Sequence, residues 1–334
     1  MRLRYVHDDI PGFTRKKKWG SFSYFDEEGR KIRDREIVKR ISSLGIPPAY
    51  TDVWICPFAH GHLQATGRDA RGRKQYVYHA DWMAQRDETK FHRMLLFARA
   101  LSPLRRRVAK DMRRRGMPRE KVIAAIVRLL DTTYVRIGNE EYAKEHGSFG
   151  LTTLRNRHVK GAGMTMKLVF RGKHGIVHEV PLEDDRLRAI VRTCHDIPGH
   201  ELFAYLDEEG RAKDVKSEDV NAYLQEISGE EITAKDFRTW HGTVLAAACL
   251  WQHAFSLKKH ERRMRIKQAV TQASQALGNT AAICKKCYIH PLIFTLYEHG
   301  TLQEPKGLEA TKKRFPFLIK RELQVVKVLE KVSS

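Results

Sequence analysis

The chain has 334 residues, a length that favours two ordinary domains over a single large one. Hydrophobic residues make up 42% of it and charged residues 31%, which excludes general disorder. The 62 lysines and arginines outnumber the 40 acidic residues, and the formal net charge of +22 indicates a polyanionic partner, most simply nucleic acid, with a membrane surface as the other candidate.

The sequence has no apolar run of about 18 residues, so we expect no membrane-spanning helix. The basic N-terminus lacks the hydrophobic stretch of a secretory signal. Five scattered cysteines are too few for a disulfide framework. These features predict a cytoplasmic, nucleoid-associated protein.

The first part of the chain has the composition of a small β-rich domain. Runs typical of strands lie at Val53–Cys56 and Gln75–His79, and the basic segment Thr66–Arg73 between them predicts a hairpin turn. One helix is predicted from Arg33 to about Ser43.

The strand pattern is lost over residues 82–89, and a helical period replaces it from Lys90 onward. We therefore predict a linker there, an N-terminal domain over residues 1–85 and a catalytic domain over residues 90–334. Both domains carry an excess of basic residues, so both are expected to face the polyanion.

The second domain begins with two helical patterns. Phe91 to Ala98 opens a helix that Pro103 is expected to bend or end, and Pro118 begins another that continues to Ile137. Two further helices are predicted to have Ser217 and Thr233 as N-caps.

A small β-hairpin interrupts these helices. Residues 164–170 alternate in polarity, Gly172–Gly175 forms the turn, and residues 176–180 return. A long charged helix from Phe255 to Leu277 ends at Gly278-Asn279. The prediction is an α+β protein with a small β-rich N-terminal domain and a larger, mainly α-helical domain that includes a β-hairpin.

Several functional motifs are absent from the sequence. It contains no P-loop and no dinucleotide-binding glycine motif, and its carboxylates do not cluster as they do in magnesium nucleases. Cys284 and Cys287, with His290 three residues later, are the one possible metal or redox motif, but a fourth ligand is missing and buried structural thiols are the favoured interpretation. His60 and His62 alternate onto one face of a strand and are interpreted as a satisfied or solvent-facing pair rather than a metal site. We therefore expect no metal and no cofactor.

The basic residue pattern is compatible with metal-free phosphoryl transfer. Such a reaction needs positive groups on the non-bridging oxygens, a nucleophile in line and a proton donor for the leaving oxygen. Arginine suits the first task because its planar guanidinium binds phosphate through two hydrogen bonds. A tyrosine nucleophile would retain the bond energy as a phosphotyrosine ester.

Four motifs occur in the order expected for one known family. The set resembles the catalytic signature of the type IB DNA topoisomerases, in the compact bacterial form similar to the poxvirus enzyme, and the resemblance covers essentially the whole chain. The motifs are Tyr134-Val-Arg-Ile-Gly-Asn139, Phe170-Arg-Gly-Lys-His-Gly175, Asp236-Phe-Arg-Thr-Trp240 and Cys287-Tyr-Ile-His-Pro291. The N-terminal segments Thr51–Pro57 and Gln64–Asp69 also resemble the bacterial form.

The resemblance implies a role for each motif residue. Tyr288 would be the nucleophile that forms a 3′-phosphotyrosyl link, Arg136 and Arg238 would hold the scissile phosphate, and Lys173 would protonate the 5′-hydroxyl. Asn279 stands where poxvirus-type enzymes usually have histidine. An amide can donate a hydrogen bond but carries no charge, so Asn279 would stabilise without acid–base work.

The same resemblance suggests a DNA-contacting segment in the N-terminal domain. Its candidate residues are Arg68, Arg73, Gln75, Tyr76 and Tyr78. Arginine and glutamine suit base or phosphate contacts, and the tyrosines suit the DNA backbone. The implied partner is duplex DNA, preferably supercoiled, enclosed by a monomer that acts as a clamp.

Alternatives exist for the function and for each residue. A tyrosine recombinase shares the chemistry but usually has a helical N-terminal domain, and an architectural DNA-binding protein would form no covalent adduct. Taken singly, Arg136 could complement a helix dipole, Lys173 could be a solvated turn residue and Tyr288 could be core packing. The basic segments Arg105–Arg107 and Arg113–Arg115 could be a solvated helix face or contact phosphates.

Overall fold

The computed structural model describes residues 3–18, 20–70, 72–83, 85 and 93–333. The chain divides into two compact units, Met1–His92 and Arg93–Ser334. Residues 84 and 86–89 of the predicted linker lie outside the described residues, as do Arg71 and Phe91. The described part of that linker includes Trp82 and Met83, which are helical.

The N-terminal unit contains a five-stranded antiparallel sheet with a helix packed on it. The elements are β1 (Phe13–Lys18), β2 (Ser21–Phe25), α1 (Arg35–Ser43), β3 (Thr51–Ile55), β4 (Leu63–Arg68) and β5 (Lys74–Tyr78). The strand order in the sheet is β2-β1-β3-β4-β5. Helix α1 buries Ile41 against Val53 and Ile55 of the sheet, and this contact forms one part of the core of the unit; Val6, Cys56 and Leu63 form another.

The two predicted strands are present as β3 and β5, but they do not pair with each other, so the hairpin has a different first strand. The strand that pairs with β5 is β4, and β4 includes Thr66 to Arg68, which the sequence assigned to the turn. Small and polar residues in β4 hid the strand pattern. Gln64 and Thr66 can be buried there because of tertiary hydrogen bonds: Gln64 accepts from Arg40 and Thr66 donates to Asp8, both at 2.8 Å. His62 is a buried structural residue, since its Nδ1 accepts from the Val6 amide.

The larger unit is mainly helical. Its helices are α2 (Met94–Asp111), α3 (Arg119–Thr133), α4 (Glu140–His146), α5 (Asp185–Asp196), α6 (Ser217–Ser228), α7 (Ala234–Trp251), α8 (Lys259–Leu277), α9 (Ala281–Tyr288), α10 (Pro291–Glu298), α11 (Glu309–Arg314) and α12 (Lys320–Ser333). Helix α7 is central and packs against α2, α8, α9 and α12. Its Phe237 and Trp240 are fully buried, which explains the weak amphipathic pattern of this helix.

Five short strands complete this unit. Strands β6 (Val159–Lys160), β7 (Lys167–Arg171) and β8 (Val177–Pro181) form one antiparallel sheet, and β9 (Ala204–Leu206) pairs with β10 (Ala212–Asp214). The predicted hairpin is therefore present as β7 and β8. It starts at Lys167 rather than Met164, which is 81% exposed.

Helix boundaries differ from the sequence predictions in a few places. Helix α2 continues through Pro103 instead of ending there. Thr233 is the N-cap of α7, whereas Lys216 precedes α6 and Ser217 is its first residue. Helix α8 begins at Lys259, four residues after the predicted start. No helix within the described ranges has both the length and the apolar content needed to cross a bilayer.

Candidate active site

Arg136 lies just after helix α3, not in its last turn. The helix ends at Thr133 and is capped by Tyr134, whose backbone is left-handed with φ of +59°, so the prediction of a helix continuing to Ile137 was wrong. The Tyr134 ring packs on His241 at 4.7 Å between centroids, and this tertiary contact favours an otherwise costly backbone conformation. The Leu151 amide donates to the Arg136 carbonyl at 2.9 Å and anchors the loop.

Arg238 projects from helix α7 and is only 4% exposed. One terminal nitrogen donates to the Tyr134 carbonyl, and the other donates to the Leu277 carbonyl at 2.6 Å. These bonds orient the guanidinium. Its buried Nε has no acceptor among the described residues, so one donor of the fork remains for an anion. Burial lowers the pKa of Arg238.

Tyr288 is the last residue of helix α9, and its backbone lies against helix α7. A Cβ added to Gly242 of α7 would lie 2.6 Å from the Tyr288 carbonyl oxygen. Thr243 accepts a hydrogen bond from the His290 amide at 2.9 Å. The Arg238 guanidinium lies 5.0 Å from the centre of the Tyr288 ring. One helix therefore carries an arginine and also seats the phenol beside it.

Asn279 joins the same cluster from the end of helix α8. Gly278 ends that helix in a left-handed conformation, as the sequence predicts. The Asn279 side-chain oxygen accepts a hydrogen bond from Arg136. Its buried amide nitrogen has no acceptor within the described ranges, so it is a second donor that can serve an anion.

Arg238 lies close enough to Arg136 to affect the titration of Arg136. Burial, followed by the positive charge of Arg238, lowers the pKa of Arg136 to about 10, although Tyr288 acts in the opposite direction. Both guanidinium groups still carry a charge at neutral pH. Two like charges in a partly buried place repel each other, and a bound phosphodiester would relieve that repulsion.

Lys173 lies on the turn between β7 and β8 and is exposed. The turn is closed by the Gly172 amide, which donates to the Ile176 carbonyl at 2.7 Å. His178, on the returning strand, connects this hairpin to the cluster. A Cβ added to Gly172 or to Gly278 would in each case lie 2.7 Å from the His178 ring.

His178 is the site residue that the sequence prediction missed. It lies directly opposite Phe170 in the hairpin, and the two rings stack at 5.2 Å. The register of β7 and β8 is enough to place these two residues opposite each other. Nothing in the sequence indicates that the ring also reaches Gly278, which is one hundred positions further along the chain.

Other candidate residues have structural roles. Arg105 is held by Asp131 and Glu322 in a buried ion pair, so its guanidinium is not presented to phosphate. Cys284 is fully buried, and burial raises the pKa of its thiol to about 11, which matches the structural interpretation. In the part of the chain that the structure describes, Cys284, Cys287 and His290 do not converge as metal ligands.

The DNA-contact candidates of the N-terminal unit lie on and beside strand β5. Arg73 and Gln75 both donate to Asp69, at 2.8 and 3.0 Å. Tyr76 is 51% exposed and stacks with Tyr78 at 6.1 Å between centroids.

Arg68, at the end of β4, donates to the Gly72 carbonyl at 2.8 Å. The carbonyl lies in the turn between β4 and β5, so Arg68 is close to the β5 candidates. Their role in DNA contact stays a prediction.

Known proteins resemble this chain along most of its length. The family profile described as "Eukaryotic DNA topoisomerase I, catalytic core" matches residues 75–306, and "Bacterial DNA topoisomerase IB, N-terminal domain" matches residues 21–69. DNA topoisomerase 1B of Acanthamoeba polyphaga mimivirus is 29% identical over 87% of this chain and 89% of its own. DNA topoisomerase 1B of Vaccinia virus (strain Copenhagen) is 23% identical over 81% of this chain and 88% of its own.

The catalytic-core profile spans more than half of the chain, and it includes all five predicted active-site residues. The α+β fold predicted from the sequence is confirmed, with a strand-rich N-terminal unit and a helical second unit. The chain therefore belongs to the type IB DNA topoisomerases, the family that its ordered motifs predicted.

Proposed function

We propose that this enzyme relaxes supercoiled duplex DNA by cutting and resealing one strand. The observation that carries the proposal is the convergence of two guanidinium groups, the Asn279 amide and the Tyr288 ring, which come from four separate segments of the chain. The unused donors of Arg238 and Asn279 support an anionic ligand at this place.

In the cleavage step, the Tyr288 oxygen attacks the phosphorus and the bond from phosphorus to the 5′ oxygen breaks. The phenolic proton passes to solvent, and Lys173 supplies a proton to the departing 5′ oxygen. Arg136, Arg238 and Asn279 hold the non-bridging oxygens, where negative charge accumulates in the transition state. The product is a 3′-phosphotyrosyl ester and a free 5′-hydroxyl.

Resealing is the reverse of this step. Because the ester retains the energy of the original bond, the cycle needs no ATP, and because the arginines supply positive charge, we propose that it needs no divalent metal. Between the two steps, the free 5′ end rotates about the intact strand and supercoiling strain is released.

We propose that the enzyme acts as a monomer that encloses the duplex. The N-terminal unit would contact DNA through Arg68, Arg73, Gln75, Tyr76 and Tyr78. The exposure of Tyr76 and the net charge of +22 support this role. Asp69 accepts hydrogen bonds from Arg73 and Gln75 and so fixes the position of both side chains.

The test compares the wild type with Tyr288→Phe on supercoiled plasmid in EDTA. We expect the wild type to relax the plasmid, and we expect Tyr288→Phe to be slower by more than about 10⁴-fold because it lacks the nucleophilic oxygen. Tyr142→Phe is the matched control, since Tyr142 is an exposed residue of helix α4. DNA binding should be unchanged in both variants. Relaxation by Tyr288→Phe at the wild-type rate would refute the proposal.

A further inference from the structure

The ring of His178 lies between the turn of its own hairpin and the catalytic cluster, which is the group of Arg136, Arg238, Asn279 and Tyr288. Its strand position opposite Phe170 brings the two rings together, with planes 18° apart. The ring is half-buried and lies within the electrostatic influence of Arg136 and Arg238. The proposed reaction gives this residue no chemical role.

Two glycines from separate segments make room for the ring. Gly172 has φ of −91°, a conformation open to any residue, so its backbone gives no reason for glycine. A Cβ there would meet Cδ2 and Nε2 of His178 at 2.7 Å. A Cβ on Gly278 would meet Cε1 of the same ring at 2.7 Å. The imidazole therefore fills the gap between Gly172, which precedes Lys173, and Gly278, which precedes Asn279.

The chemistry of the ring favours a steric role over proton transfer. Burial, together with the charges of Arg136 and Arg238, lowers the pKa of His178. The ring is consequently neutral at neutral pH and adds no further positive charge beside two arginines. A neutral, flat and well-packed group suits a spacer between two backbone segments.

We propose that His178 is a positioning residue for Lys173, because its ring holds the turn that carries Lys173 against the end of helix α8 that carries Asn279. The inference rests on the proposed function of Lys173 as the proton donor. A lysine ammonium lies at the end of a flexible four-carbon chain, so the position of the turn decides whether the ammonium reaches the 5′ oxygen. A displacement of about 1 Å can lower a rate by about 10²-fold.

The test uses two duplex substrates that differ in one atom. One has the ordinary 5′ oxygen at the cleavage site, and the other has sulfur in its place. A thiolate leaves without a proton donor because thiols ionise near neutral pH. We measure single-turnover formation of the covalent adduct. For His178→Ala we expect a loss of about 10²-fold on the oxygen substrate and recovery to within about tenfold of the wild type on the sulfur substrate.

Lys173→Ala provides the reference. If sulfur relieves the defect of Lys173→Ala but not that of His178→Ala, the proposed function stands and the positioning role is wrong. If the sulfur substrate restores the rate of neither variant, Lys173 is not the proton donor, and the positioning role of His178 is wrong with it. If His178→Ala forms the adduct at the wild-type rate on both substrates, the inference is also wrong.

A second variant changes the glycine that contacts the ring instead of the ring itself. Gly172→Ala pushes a methyl group into the ring and should show the same dependence on the leaving atom. Combined with His178→Ala, it should cost no more than His178→Ala alone, since the ring that it would meet is gone. Gly199→Ala is the control, because a Cβ there meets its nearest neighbour at an ordinary 3.8 Å. Additive losses in the double variant would contradict the proposed spacing.

Discussion

At the scale of single residues, the site depends on polar groups that are only partly satisfied. Arg238 donates from two nitrogens to backbone carbonyls, and its Nε has no acceptor among the described residues. Asn279 accepts from Arg136 through its side-chain oxygen, and its amide nitrogen likewise has no acceptor among them. A buried donor without an acceptor costs about 1–3 kcal/mol. A phosphate oxygen would supply the acceptors, so part of the binding energy is the relief of this cost.

The Asn279 amide provides the sharpest residue-scale prediction. In Asn279→Asp, a carboxylate would pair with Arg136, remove the donor and repel the phosphate. We expect adduct formation to slow by about 10²–10³-fold, the range for loss of one donor to a developing oxyanion. Single-turnover cleavage measures this.

Asn221→Asp is the matched control for that change. The Asn221 side-chain oxygen accepts from the Ala234 amide at the start of helix α7, a contact that a carboxylate would keep. We expect wild-type cleavage from the control. Equal rates for Asn279→Asp and the wild type would mean that the amide is not a phosphate donor.

At the scale of elements, helix α7 organises the site. Arg238 and Gly242 are four positions apart and so share one face of the helix, while fully buried Trp240 anchors the helix in the core. The missing side chain at Gly242 lets the Tyr288 backbone approach. The helix thus fixes the distance between the guanidinium and the phenol.

Gly242→Ala tests this arrangement. The added methyl group would meet the Tyr288 carbonyl oxygen at 2.6 Å, so the end of helix α9 must move. We expect cleavage to fall by about 10–10²-fold, because displacement of a reacting group by about 1 Å has that order of effect. The free energy of unfolding should change little, because alanine is more favourable than glycine within a helix by about 1 kcal/mol, which offsets part of the steric cost. Gly199→Ala serves again as the control, and unchanged cleavage in Gly242→Ala would contradict the seating of Tyr288.

At the scale of the whole catalytic unit, a buried ion network connects four helices. Arg105 of α2 binds Asp131 of α3 at 2.8 Å and Glu322 of α12 at 2.7 Å. From α7, Trp240 donates to Glu322 and His241 contacts Asp131, both at 3.0 Å. Burial alone would raise the pKa of Asp131, but hydrogen bonds from His241 and Arg105 outweigh it and hold that pKa far below its usual range. The C-terminal helix is therefore linked to the helix that carries Arg238.

Glu322→Gln should destabilise the protein strongly. The change leaves Arg105 with one carboxylate in a buried place, and breaking a buried pair typically costs about 3–5 kcal/mol. Urea unfolding followed by tryptophan fluorescence measures the free energy. Glu330→Gln is the control, since Glu330 pairs with Arg314 at the surface, where a pair contributes about 0–1 kcal/mol. Equal effects of the two changes would show that the network is not a major source of stability.

The sequence by itself determined the features that depend on neighbouring residues. The hairpin turn around Lys173 followed from alternation and glycines, and the end of helix α8 followed from Gly278. The ordered motifs determined the family and named the residues expected in the site. Local patterns suffice here because turns and helix ends are decided within a few residues of chain.

Only the tertiary structure decided how those residues meet. Tyr134 leaves the helix because its ring packs on His241, and this places Arg136 in a loop. Arg105 is buried by carboxylates from two distant helices. His178 reaches the cluster because two backbone segments lack a Cβ. Each of these outcomes depends on groups far apart in the chain that touch only after packing, and no local pattern encodes such a contact.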